Sequence, residues 1–327
     1  TFILFRINFL SNRIIRMPKV ISKGCITNRN SGGGNSKCGL GKTIGFIFRS
    51  NRLPNTKTTL TKCKDKTHTF ENDTNLRKAV KLWLSNKRSA INIYGHISRW
   101  DVSKVKDFSY LFANKKDVDE CIESGGCVNA GGFFQYLGDT TNFDEDLSCW
   151  NVSNATNMSY MFFGASLFNQ PLNGWNVSKV DNMSFMFFGA SLFNQPLNKW
   201  DVRKVENMSG MFNGATKFNQ PLNGWDVSKV KNMSFMFDNA SLFNQPLNDW
   251  NVRNVITMEQ MFLFAFDFNQ PLNNWNVSKV TNMRFMFYNA EKFNQDLSGW
   301  KVQIPEPNGF ATGSGFANIT VNHPTWK

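Results

Sequence analysis

The nearest approach to a reactive motif in this chain is Gly39-Leu40-Gly41-Lys42-Thr43. A Gly-rich turn followed by Lys and Thr can cradle phosphate oxygens on backbone N–H groups and set an ammonium and a hydroxyl beside them. The full loop needs a glycine five residues before Gly41, where Ser36 stands. A nucleotide-binding enzyme fragment is therefore one rival reading and not the expected one, the other being a structural array that coats a surface. Three histidines, His68, His96 and His323, stand at no recognisable spacing from a Ser or Cys nucleophile, so acyl transfer has no visible machinery. The six cysteines (25, 38, 63, 121, 127 and 149) form no C-x-x-C pair, which argues against structural zinc. Free thiols and one local bridge between Cys121 and Cys127 both stay open. Asp117, Asp119, Glu120 and Glu123 bring calcium to mind, but their spacing does not fit a twelve-residue calcium loop, and a solvated loop is expected. The expectation is a protein that is not an enzyme, with no catalytic residue, cofactor or metal.

Polar recognition has better material. Asn176 and Ser178, Asp201 and Arg203, Asp226 and Ser228, Asn251 and Arg253, and Asn276 and Ser278 flank an apolar Val at equal intervals, and Lys199 and Asp249 each precede a Trp. Such residues form a mixed polar face suited to reading a partner by hydrogen bonds across several units. A merely solvated face is the plain alternative.

What spaces these residues is a repeat of 25 with no gain or loss: Trp150, Trp175, Trp200, Trp225, Trp250, Trp275 and Trp300. Counting each Trp as position 0, Val follows at 2, Met at 8 and 11, Phe at 12, Ala at 15, Phe-Asn-Gln at 18 to 20 and Leu at 22. A fixed period of this length marks a solenoid, whose units bury their apolar sides by stacking. Trp100 begins an earlier coil, and its distance of 50 from Trp150 places an insertion at about 115–140. Met183, Met186, Phe187 and Ala190 follow helical spacing and predict a short helix. Trp175-x-Val177 predicts a short strand with both side chains inward. The fold class expected is thus α/β, a leucine-rich-repeat-like solenoid with one short strand and one short helix per coil. The Asn-Gln pairs are expected to ladder along the stack. Aromatic residues at positions 10 (Tyr160, Phe185, Phe235, Phe285) and 13 (Phe163, Phe188, Tyr288) either form an exposed partner patch or pack between the helices of neighbouring coils.

Of 37 bases and 24 acids, residues 1–70 hold 14 and one, which leaves 23 of each sign. The first 70 residues read as a basic, poorly ordered segment. The repeats read as neutral and free of a polybasic stripe, which disfavours nucleic acid. No run nears the roughly 18 apolar residues of a membrane span. Residues 71–99 predict a helical cap opened by Asp73 or Thr74, residues 100–300 the repeats, and 301–327 a closing cap. Asn-x-Ser acceptors such as Asn151, Asn157, Asn176, Asn182, Asn207 and Asn232 follow automatically from copying one Asn.

Leu-x-x-Trp-x-Val-Ser-x-Val followed by Met-x-x-Met-Phe-x-x-Ala-x-x-Phe-Asn-Gln resembles the BspA-like leucine-rich-repeat surface-protein family. The likeness runs from Leu76 to Trp326 and includes Tyr94-Gly-His-Ile-Ser-Arg-Trp100 and Phe310-Ala-Thr-Gly-Ser. It implies an adhesion or protein-binding module, displayed on the cell surface or secreted, whose partner is a protein or a surface glycan.

Overall fold

The computed structural model describes Cys63, residues 65–123 and residues 137–327. The chain divides into two units, Thr1–Leu60 and Thr61–Lys327, and the described residues all lie in the second. It opens with β1 (His68–Thr69), α1 (Asp73–Ser85) and α2 (Lys87–Tyr94), followed by β2 (Trp100–Asp101), which pairs in parallel with β1. Residues 65–70 thus belong to the cap and not to a poorly ordered segment: Phe70 is buried, and its N–H donates to Asp101. The cap of α1 is Asn72, whose side chain accepts from Asn75 N at 2.9 Å, so the cap falls one residue before Asp73 and two before Thr74, the residues expected to supply it. Leu76, Ala79, Val80 and Trp83 form its buried face.

The nine inward positions of each coil are buried as the repeat predicts. In the coil from Trp175 these are Trp175, Val177, Val180, Met183, Met186, Phe187, Ala190, Phe193 and Leu197. Equivalent rings of successive coils lie face to face. Phe187, Phe212 and Phe237 are 5.7 and 5.8 Å apart, and Trp200, Trp225 and Trp250 are 6.4 and 6.5 Å apart. Parallel stacking can continue indefinitely, so the ends need a different geometry. Trp83 meets Trp100 edge-on at one end, and Phe310 and Phe316 meet Phe287 and Phe293 edge-on at the other.

The α/β expectation is corrected. Among the described residues from 137 to 300 there is no helix and no strand, only turns joined by single parallel bridges such as Asn157↔Asn182 and Asn182↔Asn207. The backbone shows why. Met186 N donates to Met183 O, Phe188 N to Phe185 O, and Ala190 N to Phe187 O, each closing a four-residue turn. The intervening N–H groups of Met183, Phe185, Phe187 and Gly189 point sideways to Asn207, Ser209, Met211 and Asn213 of the next coil. Positions 10 and 14 are left-handed, for example Phe185 at φ 55° and Gly189 at φ 65°, which stops a helix from propagating. Consecutive turns place positions 8, 11, 12 and 15 on one side as a helix would, so helical spacing arises without a helix. At position 10 of the next coil, Gly210 leaves room for the Phe185 ring, which would lie 2.4 Å from a Cβ there.

Side chains complete the backbone accounting. The Leu197 carbonyl accepts the Trp200 N–H at 3.0 Å and the Trp225 indole N–H at 3.1 Å, and this arrangement recurs along the stack. Asn219 Oδ1 accepts the Asn244 N–H at 3.0 Å and the Gln245 amide at 2.9 Å. Asn169, Asn194, Asn244 and Asn269 do the same, and Asp144 supplies the first acceptor of the ladder. Asn219→Ala should therefore lower stability by about 1–3 kcal/mol by stranding two part-buried donors. Asn219→Asp, which keeps the acceptor as Asp144 does, should cost clearly less in urea denaturation.

A disulfide joins Cys63 to Cys149 across 86 residues. This long-range bridge, which the sequence reading did not weigh, ties the segment before β1 to the start of the first regular coil. Cys127 lies outside the described residues.

Candidate interaction surface

Each coil turns a corner just after its Trp. At position 1 an Asn or Asp accepts the N–H two residues on, which closes an Asx turn and leaves positions 1, 3 and 4 outward while Val goes inward. Asn176 takes the Ser178 N–H at 3.1 Å, Asp201 that of Arg203 at 3.2 Å, Asp226 that of Ser228 at 3.0 Å, and Asn251 that of Arg253 at 3.5 Å. The expected binding residues thus stand on turn corners and not on a sheet. Asn176, Lys199, Arg203, Asp226, Asp249, Asn251 and Arg253 are exposed, and Ser178, Asp201 and Ser228 are half-buried. Equivalent corners fall on adjacent coils, while Lys199 and Asp249 sit in the turn that precedes the Trp. The Lys199 N–H is anchored on Asn173 Oδ1 at 2.9 Å.

Two corners carry a definite electrostatic pattern. Arg203 grips Asp201 through two hydrogen bonds of 2.8 and 2.7 Å, and this holds the Asp201 carboxyl below its usual range. The Ser228 hydroxyl and N–H do the same for Asp226. Both depressed carboxylates stabilise the fold above the ordinary carboxylate value of about 3.9, and the contribution is lost as pH falls through their lower folded values. Carboxyl NMR titration should give midpoints below that value for both, and Arg203→Ala should move Asp201 up by more than Asp226, on which Arg203 acts only through space.

The sequence reading missed position 4. Lys104, Lys179, Lys204, Lys229 and Lys279 occupy it, with Asn154 and Asn254 in the other two coils. Overall neutrality of the repeats concealed a column of like charge, which corrects the expectation that no basic stripe exists. A residue-by-residue tally at this one position would have found it.

The remaining candidates resolve differently. Tyr160, Phe163 and Phe185 are buried, with Tyr110–Tyr160, Tyr160–Phe185 and Phe163–Phe188 stacked at 4.3, 4.9 and 4.2 Å. Phe188, Phe235, Phe285 and Tyr288 are half-buried. These rings pack coil on coil with no helix between them, and burial pushes the Tyr160 phenol up to about 12. The insertion expected as a solvated loop begins as α3 (Lys115–Glu123), whose Val118 packs on this aromatic column. Asp117 is buried over Gly164, Lys115 pairs with Asp119, and Lys116 pairs with Glu120 at 3.7 Å. No three His, Cys, Asp or Glu residues gather to hold a metal among the described residues. His96 does meet a serine, its Nδ1 lying 2.8 Å from Ser98 Oγ. The same nitrogen accepts the Ser98 N–H at 3.3 Å, so the contact caps the short 3-10 turn Ile97–Arg99. Among the acceptor asparagines, Asn182 and Asn207 are half-buried and bonded to Ser184 and Ser209, whereas Asn151 and Asn176 are exposed. Gly39–Thr43 lies outside the described residues. No helix among the described residues is long and apolar enough to cross a membrane.

No curated protein and no solved structure matches the chain. One sequence family does, described as Mycoplasma protein of unknown function, DUF285, over residues 61–155, 84–186, 129–243, 171–265 and 217–309. These overlapping matches restate the tandem repeat, and together they span residues 61–309, the entry strand, the cap and every coil through Trp300. The chain is a member of this DUF285 repeat family.

Proposed function

We propose that the repeats form a leucine-rich-repeat-like solenoid of the BspA-like kind that serves as a non-enzymatic interaction or adhesion module. Its partner is a protein or a surface glycan, and its contact residues are Asn176, Ser178, Lys199, Asp201, Arg203, Asp226, Ser228, Asp249, Asn251 and Arg253. The observation that carries this reading is where the coils differ. Inward positions are copied almost without change, while outward positions 24, 1 and 3 alternate among Gly, Lys, Asp and Asn, between Asn and Asp, and between Ser and Arg. Identical inward residues serve packing. Variation on one row of corners is what selection for a particular partner would leave. The Cys63–Cys149 bridge supports a place outside the reducing cytosol, on the cell surface or secreted.

The repeat itself supplies mild test substitutions, because other coils already hold the replacements. A Lys199→Gly, Arg203→Ser, Asp249→Gly, Arg253→Ser variant should melt like the parent. It should bind at least tenfold more weakly to whichever ligand the parent selects from arrayed glycans and extracellular-matrix proteins. Saturable binding that this variant retains in full would overturn the assignment of the corners. Magnesium-dependent ATP binding abolished by Lys42→Ala would favour the enzyme reading.

A further inference from the structure

We propose that the position-4 lysines form a binding row for a single linear acidic glycan, one bearing carboxylate or sulfate groups along its length. This rests on the interaction-module reading and names its partner class. The row runs along the same corners, one residue beyond the Ser and Arg of position 3. Lys179, Lys204, Lys229 and Lys279 are all exposed.

The two kinds of coil show how the row is built. Where the preceding coil holds Asn at position 4, the lysine folds back onto it: Lys179 Nζ donates to Asn154 Oδ1 at 2.6 Å, and Lys279 Nζ to Asn254 Oδ1 at 3.0 Å. For Lys204 and Lys229 the preceding coil offers another lysine, and neither forms an ion pair among the described residues. Adjacent coils joined by parallel bridges are spaced by about 4.8 Å. Three like charges in succession at that spacing repel one another in the isolated protein, and a bound polyanion turns the repulsion into attraction.

The borders of the row select the shape of the ligand. Asp226 at position 1 and Asp181 at position 6 form no ion pair among the described residues, while Asp201 is paired with Arg203 and Glu206 with Lys231, so an unpaired carboxylate stands on each side of the lysines. A wide anion such as a nucleic-acid duplex or a lipid surface would meet those carboxylates as well. A single-stranded nucleic acid needs aromatic platforms for its bases, and positions 1 to 6 of the coils from Trp150 to Trp275 contain none. A narrow acidic polysaccharide needs only the cations, with the Ser178, Ser228 and Ser278 hydroxyls and the Asn176 and Asn276 amides beside them for its hydroxyl groups. The same lack of aromatic rings disfavours a neutral sugar.

The test uses the full chain and a Lys179→Asn, Lys204→Asn, Lys229→Asn variant, whose new residues already occupy this position in two coils. A Lys78→Gln, Lys81→Gln, Lys217→Gln variant removes the same charge elsewhere. Binding to chondroitin sulfate, hyaluronate, neutral dextran and a 20-nucleotide single strand is followed by titration at several salt concentrations. The expected result is binding to at least one acidic glycan that weakens at least 30-fold in the row variant and less than threefold in the control. The dependence of log affinity on log salt should also become shallower by two to three. Failure of both acidic glycans to bind, an equal loss in both variants, or equally tight binding of the oligonucleotide or of dextran would overturn the proposal. If in any of these cases the Lys199/Arg203/Asp249/Arg253 variant still loses another ligand, the module reading survives without the lysine row.

Discussion

Phe212→Ala should destabilise the repeat array by about 3–5 kcal/mol, the range for emptying a fully buried aromatic site. Phe212 is wholly buried, 4.0 Å from Phe218 and stacked between Phe187 and Phe237. Its neighbours cannot close the gap, because each is held at its own height by backbone bonds to the adjacent coils. Stability in a linear stack is a sum of unit and neighbour terms, so position along the array matters. A break at Phe212 uncouples the coils on either side and should split a single urea transition into two. Phe316→Ala empties an equally buried site that meets Phe287 and Phe293 edge-on at the closing end, so it should cost a similar amount but leave one transition, because it couples coils on one side only. A single transition in both variants would show that the array does not behave as a chain of neighbour contacts.

Reducing the Cys63–Cys149 bridge, or replacing Cys63 with Ser, should cost about 2–5 kcal/mol, since the bridge closes a long loop in the unfolded chain. The damage should be local to the entry end. The strand pair His68–Thr69 with Trp100–Asp101 is only two residues long. It is supported by Thr67 N to Arg99 O at 3.1 Å, Phe70 N to Asp101 O at 2.9 Å and Lys66 Nζ to the Cys149 carbonyl at 2.6 Å. Hydrogen exchange under reductant should therefore speed up at Phe70 and Asp101 well before Met208 or Met233. Alkylation of Cys63 and Cys149 in the unreduced protein would remove the basis of this prediction. Exchange that rises uniformly along the chain would instead mean that the bridge stabilises the whole array.

Much of this molecule was legible in one dimension because a repeat declares its own register. Trp at 0, Val at 2, Met at 8 and 11 and Phe at 12 can return every 25 residues only if each serves the same inward place, and all of them prove buried. The Asn-Gln ladder could be anticipated for the same reason, since an amide copied at one height has its own copy as a neighbour. The polar corners were visible too, as the outward partners of the buried Val.

The helix and the strand misled because side-chain periodicity reports direction and not backbone path. A run of turns with left-handed residues at positions 10 and 14 aims positions 8, 11, 12 and 15 inward just as a helix does. A strand and an Asx corner both send Trp and Val inward with a polar residue between them.

By itself the sequence determined the period, the inward set and the row of variable corners, since each of these is a property that a chain position either repeats or does not. Only the tertiary structure decided which groups meet across coils. Backbone N–H groups turn sideways to the next coil because left-handed residues at positions 10 and 14 break the run of carbonyls a helix would offer them. Cys63 finds Cys149 because the entry strand folds back onto the first coil. Lysines scattered 25 apart in a neutral sequence become neighbours because stacking brings them within one coil's height, and charge acts through space.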